Sequence, residues 1–521
     1  MGGVKQARVI MFQGTASHAG KTVLAAALCR IYARRGLAVA PFKGQNMALN
    51  SAVTAAGEEM GRAQVYQAAA AGVEPVVDMN PVLLKPTAGG TSQVVVMGRP
   101  VAEMPVATYQ RYQAEVWPLV TAALGRLRAE HDLVVIEGAG SSAEINLRHA
   151  DIVNMRVARA ARSPVLLVGD IDRGGVFAAL LGHVELFTTT ERRLVRGFVV
   201  NKFRGDAAQL GGGLSELEAR CGVPTLGVVP YLEGWRGDEE DSVALDEPRS
   251  TSLGGAALRI AVVRLPYLSN TTDFEALAAE PDVAVEYVRE PRELRGAAAI
   301  IVPGTKSTVA DLAWLRRQRL DQAISAAAAG GVPVVGICGG FQMLGRRIAD
   351  PGAVESQAAE TAGLGLLGVE TTFAGRKRTV RVSGTASGAA LTAAGVALRG
   401  YEIHMGRTRR DAGVRAFAHL RPAAPNGAVA DGGAAHPDGA ATADGRVCGT
   451  YLHGLFDEPA FRAAFLNRLR VAAGLPERPA LEVAPDIDRL ADHVEAHLDM
   501  ARLDAIIGLA SGRSVRQRGP R

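Results

Sequence analysis

Two stretches of this 521-residue chain set reactive side chains beside glycines at spacings that suit defined chemistry. In the first, an apolar run at residues 9–12 enters Gly14-Thr15-Ala16-Ser17-His18-Ala19-Gly20-Lys21-Thr22, and a helical pattern follows over residues 23–35. Such a loop turns backbone N–H groups and a helix N-terminus toward an anion, with Gly14, Thr15 and Gly20 shaping the cradle. Lys21 then reaches terminal phosphates and the Thr22 hydroxyl ligates Mg²⁺. The loop is one residue longer than the usual phosphate-loop spacing, but the order strand, loop, Gly-Lys-Thr, helix outweighs a chance glycine turn. In the second stretch, an apolar run at residues 332–337 meets Cys338-Gly339-Gly340-Phe341-Gln342, a nucleophile-elbow pattern with sulfur in place of a serine oxygen. A helix N-terminus there favours the thiolate and aims N–H groups at the reacting carbonyl.

A cysteine nucleophile needs a base. His453, in Thr450-Tyr451-Leu452-His453-Gly454, ends a strand pattern and is preferred over His404, which is expected to line a pocket or support packing. Gly304, in Pro303-Gly304-Thr305 after the run 298–302, is positioned to donate an N–H to an oxyanion. Near the phosphate loop, the run 133–136 delivers Glu137, a carboxylate able to hold the Mg²⁺ of a bound triphosphate. Lys43 follows the run 38–42, and with the carboxamides Gln45, Asn46 and Asn50 it suits an anionic, amide-bearing ligand; a polar turn is the competing reading. Asn201, after the run 197–200, is placed either to read a purine edge or to form a turn.

These groups need rigid elements to hold them. Apolar runs at 9–12, 38–42, 133–136, 165–168, 197–200 and 225–229 alternate with helical stretches, which predicts a mostly parallel sheet with functional residues just past strand C-termini. The alternation breaks at residues 236–256, a linker, and resumes at 258–263, 298–302 and 333–337. The reading is therefore residues 1–235 as one α/β domain, 257–472 as a second, and 473–521 as a C-terminal helix over 486–509 with a basic tail expected to be disordered. Residues 422–445, rich in Ala, Gly, Asp and Pro, form a low-complexity loop.

Composition fits that reading: 48% hydrophobic and 21% charged residues over this length support about two to four buried cores. The net charge is +5, and residues 512–521 alone carry four Arg and no acid, so no nucleic-acid footprint is indicated. Cys29, Cys221, Cys338 and Cys448 lie far apart with no C-x-x-C pair, which fits a reducing cytoplasm and no zinc site. No signal-peptide pattern is found, and the uncharged run 322–345 contains Pro333 and six Gly, so no membrane span is expected. Neither composition nor motif decides between a monomer and a homo-oligomer.

Further motifs carry a resemblance. Phe42-Lys43-Gly44-Gln45-Asn46-Met47 with Asn50-Ser51, Glu59-Met60-Gly61-Arg62-Ala63-Gln64, Asn80-Pro81-Val82-Leu83-Leu84-Lys85-Pro86, Glu137-Gly138-Ala139-Gly140-Ser141 and Asp170-Ile171-Asp172-Arg173-Gly174-Gly175 are similar to those of the glutamine-hydrolysing cobyric acid synthases of the cobalamin pathway. The resemblance covers about residues 8–470, and the longer phosphate loop also resembles that of dethiobiotin synthetases. It implies an N-terminal phosphate-loop domain of dethiobiotin-synthetase type and a C-terminal class I glutamine amidotransferase-like α/β domain. The implied reaction is ATP- and glutamine-dependent amidation of the b, d, e and g carboxylates of adenosylcobyrinic acid a,c-diamide, a corrinoid, through acyl phosphates. Lys21, Thr22 and Glu137 would then handle phosphate and Mg²⁺, with Glu59 a further metal candidate, Lys43 the developing charge, Cys338 the glutaminyl thioester and His453 the protons.

Two positions depart from the family pattern. Leu455 stands where many class I amidotransferases carry a Glu, so His453 is expected to lack a carboxylate partner, and His18 stands where a small polar or acidic residue is usual. The neighbouring a,c-diamide synthases share both domains but carry a different segment after the equivalent of Lys43, so Gln45-Asn46-Met47 favours the cobyric branch. A partition-type ATPase would leave Cys338 and His453 without a task.

Overall fold

The computed structural model describes residues 6–235, 257–388, 394–423, 434–482 and 486–509. Six parallel strands form the first sheet, in the order Thr225–Pro230, Val195–Phe203, Val165–Asp170, Arg8–Gly14, Leu133–Ser141 and Val39–Phe42. Their near-continuous Val, Ile and Leu content is what a sheet covered on both faces demands. The phosphate-loop helix Lys21–Arg34 buries Leu24, Leu28 and Ile31 on one face, and Val134, Ile136 and Leu167 are buried on the other.

The regular alternation did not foretell residues 45–105, inserted between the strand Val39–Phe42 and the helix Val106–Glu130. They build a separate four-stranded sheet, Gln45–Met47, Val82–Thr87, Thr91–Val96 and Arg99–Pro105, and a short pair, Ser51–Val53 with Glu59–Gly61. This insertion carries the segment after Lys43 away from the main sheet.

In the second domain the order is Val283–Val288, Leu258–Val263, Ala299–Val302, Val334–Ile337, Val447–Thr450 and Ala440–Ala441, with only the last strand antiparallel. A second sheet, built on the long antiparallel strands Val369–Ser387 and Ala394–Arg410, packs beside it. The strands His436–Asp438 and Ala440–Ala441 occupy part of the expected 422–445 loop, whose residues 424–433 lie outside the described set.

The expected single C-terminal helix is two, Ile487–His497 and Met500–Ile507, broken where Leu498 bridges to Gly227. They return to the first domain: Leu490, Val494, Leu498, Leu503 and Ile507 share a core with Leu24, Leu28 and Ile31. The linker 236–256 and the basic tail 510–521 lie outside the described residues. Among the described residues no helix is long and apolar enough to cross a membrane.

Candidate active site

Cys338 sits at the end of the strand Val334–Ile337, with φ 49° and ψ −108°, conformational strain typical of an elbow that exposes its side chain. Close packing enforces the flanking glycines: a Cβ on Gly340 would lie 1.9 Å from the Val302 carbonyl oxygen. The thiol donates to the Ile403 carbonyl at 3.4 Å.

His453 is buried, and its Nδ1–H donates to Asp273 Oδ2 at 2.7 Å, while Asp273 Oδ1 accepts from the Gly454 N–H at 2.9 Å. The expected absence of a carboxylate partner is therefore corrected. The acid comes from the turn Thr271–Phe274 after the first strand of the domain, rather than from the position of Leu455. Nothing in the local sequence flags Asp273, since only the sheet brings it to a histidine 180 positions away. Burial opposes charging of His453, but the Asp273 carboxylate and the nearby thiol outweigh it and raise its pKa to about 10.

His404 is the pocket wall anticipated for it. Its ring stacks on Tyr451 at 3.7 Å between centroids and its Nδ1–H donates to the Gly406 carbonyl at 2.8 Å. Burial pushes its pKa down to about 4, so it is neutral near pH 7. Gly304 lies against the His453 ring, where an added Cβ would come 3.0 Å from Cε1. The pocket at Cys338 is also lined by Gln342 and Glu355, and by Lys85 and Gln93 from the first domain.

The second centre lies past the C-terminal ends of the first sheet. Lys21 Nζ donates to the carbonyls of Ala16 and Gly140, each at 3.0 Å, curling over the loop, and a Cβ on Gly14 would come 2.8 Å from that ammonium. Thr15 N–H is held by the Val168 carbonyl at 2.9 Å. Thr22 Oγ1 donates to Glu137 Oε1 at 2.7 Å, and the same oxygen accepts from Lys43 Nζ at 3.1 Å. Gln67 Nε2, at 2.6 Å, and Gln64 Nε2, at 3.4 Å, complete the partners of Glu137 Oε2. Gln64 entered the sequence reading only as the end of the Glu59–Gln64 motif, with no role, and Gln67 not at all, because both lie on a helix, Arg62–Ala71, with no motif spacing to the loop.

Asn201 Nδ2 donates to the Ala19 carbonyl at 2.9 Å and lies 1.9 Å from where a Cβ on Gly20 would be, so this side chain braces the loop. The carboxamides after Lys43 divide. Asn46 Nδ2 donates to Gln64 at 3.0 Å and so joins the Glu137 network, whereas Gln45 accepts from the Tyr109 hydroxyl at 2.6 Å. Asn50 turns to the other domain, where its Oδ1 accepts from Thr271 N–H at 3.0 Å and its Nδ2 donates to Thr271 Oγ1 at 3.2 Å.

Glu59 corrects a second expectation. It is buried between Lys85 Nζ, at 2.8 Å, and Lys377 Nζ of the second domain, at 2.5 Å, and also accepts from Ser51 Oγ at 2.9 Å. Two ammonium groups on one carboxylate repel a divalent cation, so Glu59 is a structural link between domains rather than a metal ligand.

A cysteine elbow sharing a pocket with a buried His–Asp pair on one α/β domain, and a phosphate loop on another, are the arrangement of a glutamine amidotransferase joined to a nucleotide-binding module. Family comparison agrees: residues 259–461 match the CobB/CobQ-like glutamine amidotransferase domain, and residues 10–242 match the CobQ/CobB/MinD/ParA nucleotide binding domain. Over 96% of this chain, 53% of residues are identical to the cobyric acid synthase of Desulforudis audaxviator, which is covered completely (100%). The enzyme of the same name from Sorangium cellulosum is 51% identical over 96% of this chain and 99% of its own, and that from Citrobacter koseri 48% over 96% and 98%. The chain belongs to the cobyric acid synthase family, whose members carry out glutamine-dependent amidation in cobalamin biosynthesis.

Proposed function

We propose that this enzyme amidates the b, d, e and g carboxylates of adenosylcobyrinic acid a,c-diamide in the cytoplasm, using ATP and glutamine and releasing adenosylcobyric acid. The observation that carries the reading is the joining of both centres by one segment: residues 43–51 begin at the lysine on Glu137 and end against the loop that holds the base of the cysteine triad. At the cysteine centre, the proton shared by Cys338 Sγ and His453 Nε2 rests on the imidazole, as its raised pKa favours, the sulfur attacks the glutamine carboxamide carbon, and the imidazolium gives the proton to the departing ammonia. The backbone N–H groups of Gly304 and Gly339 are the candidates to meet the oxyanion, and water then releases glutamate from the thioester.

At the phosphate loop, a corrinoid carboxylate attacks the ATP γ-phosphorus to give an acyl phosphate and ADP, and ammonia displaces phosphate to leave the amide. Lys21 and Lys43 carry positive charge to the phosphates and the reacting carboxylate. The oxygen donors Thr22 and Glu137 fit a hard divalent cation such as Mg²⁺. Bound Mg²⁺ would neutralise charge building on the phosphate oxygens.

The test is mass spectrometry of corrinoid products from the whole enzyme with ATP, Mg²⁺, adenosylcobyrinic acid a,c-diamide and either glutamine or ammonia. Four successive amidations are expected, and the Cys338→Ala variant should make them only with ammonia. A corrinoid left untouched while glutamine is consumed would show that the acceptor is another acid, such as cobyrinic acid itself.

A further inference from the structure

His404 carries a polar atom that the fold leaves without a partner. It lies on the strand Ala394–Arg410, whose Tyr401 pairs with His453, and the carbonyl oxygen of its neighbour Ile403 lies 3.4 Å from the Cys338 sulfur. Its ring is held in one orientation. One face stacks on Tyr451 with planes 14° from parallel, and the Tyr451 hydroxyl is itself bonded to Gln342 Nε2 at 3.1 Å and to Thr408 Oγ1 at 2.5 Å. Because Nδ1–H donates to the Gly406 carbonyl, Nε2 of the neutral ring is an acceptor. That nitrogen is buried, has no hydrogen-bond partner among the described residues, and belongs to a side chain that lines the cavity at Cys338. A buried acceptor with nothing to accept is costly, so the atom calls for a donor that enters the cavity.

Glutamine brings three polar groups there, and the walls sort them by charge. Glu355 and Lys306 both line the cavity. Burial pushes the Glu355 carboxyl up to about 7, while Lys306 nearby and the Thr308 N–H, donating at 2.8 Å, favour its charged form. These two side chains match the α-ammonium and the α-carboxylate of an amino acid. Lys85 and Lys377 line the cavity as well but are committed to Glu59. The carboxamide must lie at Cys338 with its oxygen toward backbone N–H groups, which leaves its NH₂ in need of an acceptor. His404 stands at that end: it adjoins the residue whose carbonyl faces the sulfur, and it is close enough to His453 for that imidazole to add to burial in opposing its protonation.

We propose that His404 is a specificity-determining residue of the glutaminase centre, whose Nε2 accepts from an N–H of the substrate carboxamide and so separates an amide from the corresponding acid or ester. This rests on the amidotransferase reading above. No bond is made or broken at His404. The contact turns the carboxamide so that the nitrogen lone pair that develops as sulfur attacks faces the His453 imidazolium, and it meets a carboxylate or ester oxygen in the same place with a second lone pair. A site built around an N–H discriminates strongly against an analogue that lacks it.

The experiment compares glutamine with L-glutamic acid γ-methyl ester, which has the same α-ammonium and α-carboxylate but no carboxamide N–H. Glutamate release by the whole enzyme is measured with ATP, Mg²⁺ and adenosylcobyrinic acid a,c-diamide present, in wild type, His404→Asn and His404→Gln. Both variants lose the stack on Tyr451. Asn can still donate to Gly406 but carries nothing at the Nε2 position, whereas Gln places an amide oxygen there. The ratio of kcat/KM for glutamine to kcat/KM for the ester should fall about 10- to 100-fold in His404→Asn, as expected when a buried N–H loses its acceptor, and stay within about 3-fold of wild type in His404→Gln. An unchanged ratio in His404→Asn, with both substrates slowed alike, would place His404 against the amino-acid head or in packing alone and overturn the proposal, as would a ratio in His404→Gln as low as in His404→Asn. Either result leaves the amidotransferase reading intact. Wild type that releases no glutamate from glutamine would overturn that reading, and this one with it.

Discussion

The buried Asp273 carboxylate accepts from His453 Nδ1–H, which orients the ring and leaves Nε2 as the nitrogen able to exchange a proton with the thiol. The raised pKa of His453 has a definite sign. The stabilisation from charging the pair is fully present below the ordinary imidazole value, 6.5, and is lost as pH rises through about 10. Asp273→Asn removes the carboxylate and leaves burial, which pushes the pKa down, and it offers the ring a donor in place of an acceptor. Glutamine-dependent amidation should fall about 10²- to 10⁴-fold and the alkaline limb of its pH profile, where the imidazolium loses its proton, should move to lower pH, while amidation from added ammonia continues. Steady-state rates with each nitrogen source across pH check both statements. A carboxylate that served only the fold would slow the two reactions together.

At the scale of elements, the C-terminal helices decide the stability of a domain to which they are not adjacent in sequence. Leu490, Val494, Leu498, Leu503 and Ile507 are buried against the phosphate-loop helix, each contributing about 1.5–3 kcal/mol through removal from water. The ion pairs alongside, Arg30 to Asp488 and Arg34 to Asp492, are largely exposed and contribute at most about 1 kcal/mol each. Ending the chain at residue 482 should therefore cost several kcal/mol in urea unfolding and abolish ATP-dependent amidation, whereas Arg34→Ala should be nearly silent. The sequence shows why such contacts are hard to foresee. Six strands of the first sheet were legible because parallel strands are continuous apolar runs, and the elbow at Cys338 was legible because its glycines are local. The 45–105 insertion and the long hairpin from Val369 to Arg410 were not, because half-exposed antiparallel strands carry a weaker alternating pattern. Asp273, Lys377 and the docking of the last helices depend on contacts between residues far apart in the chain, which no local period encodes.

Across the whole molecule, the two domains meet through charge as well as through hydrogen bonds such as that from the Ser51 N–H to Asn270 Oδ1. Glu59 lies between Lys85 of its own domain and Lys377 of the other, all three buried. Burial by itself would raise the Glu59 pKa, but the two ammonium groups overcome it and hold the carboxyl far below the usual range. Its stabilisation is thus present above the ordinary glutamate value, 4.5, and is lost only as pH falls well below it. Lys377 is pushed the other way, to about 8, because burial outweighs the attraction of Glu59. The carboxylate is the keystone of the triad. Glu59→Gln leaves two buried ammonium groups facing each other without compensation, a change that costs about 3–5 kcal/mol when a buried pair loses one partner. Calorimetry of that variant at pH 7 should show a lowered melting temperature and a separation of the single transition into two, one for each domain. Adding Lys377→Met removes the repulsion, so the double variant should recover a large part of the loss, and the non-additivity measures the coupling across the interface. If the double variant melts no higher than Glu59→Gln alone, the charge triad does not hold the domains together, and the other contacts between them, among them Ser51 with Asn270, Asn50 with Thr271, Arg381 with Val53 and Glu74, and Ala88 with Ser307, must carry the interface.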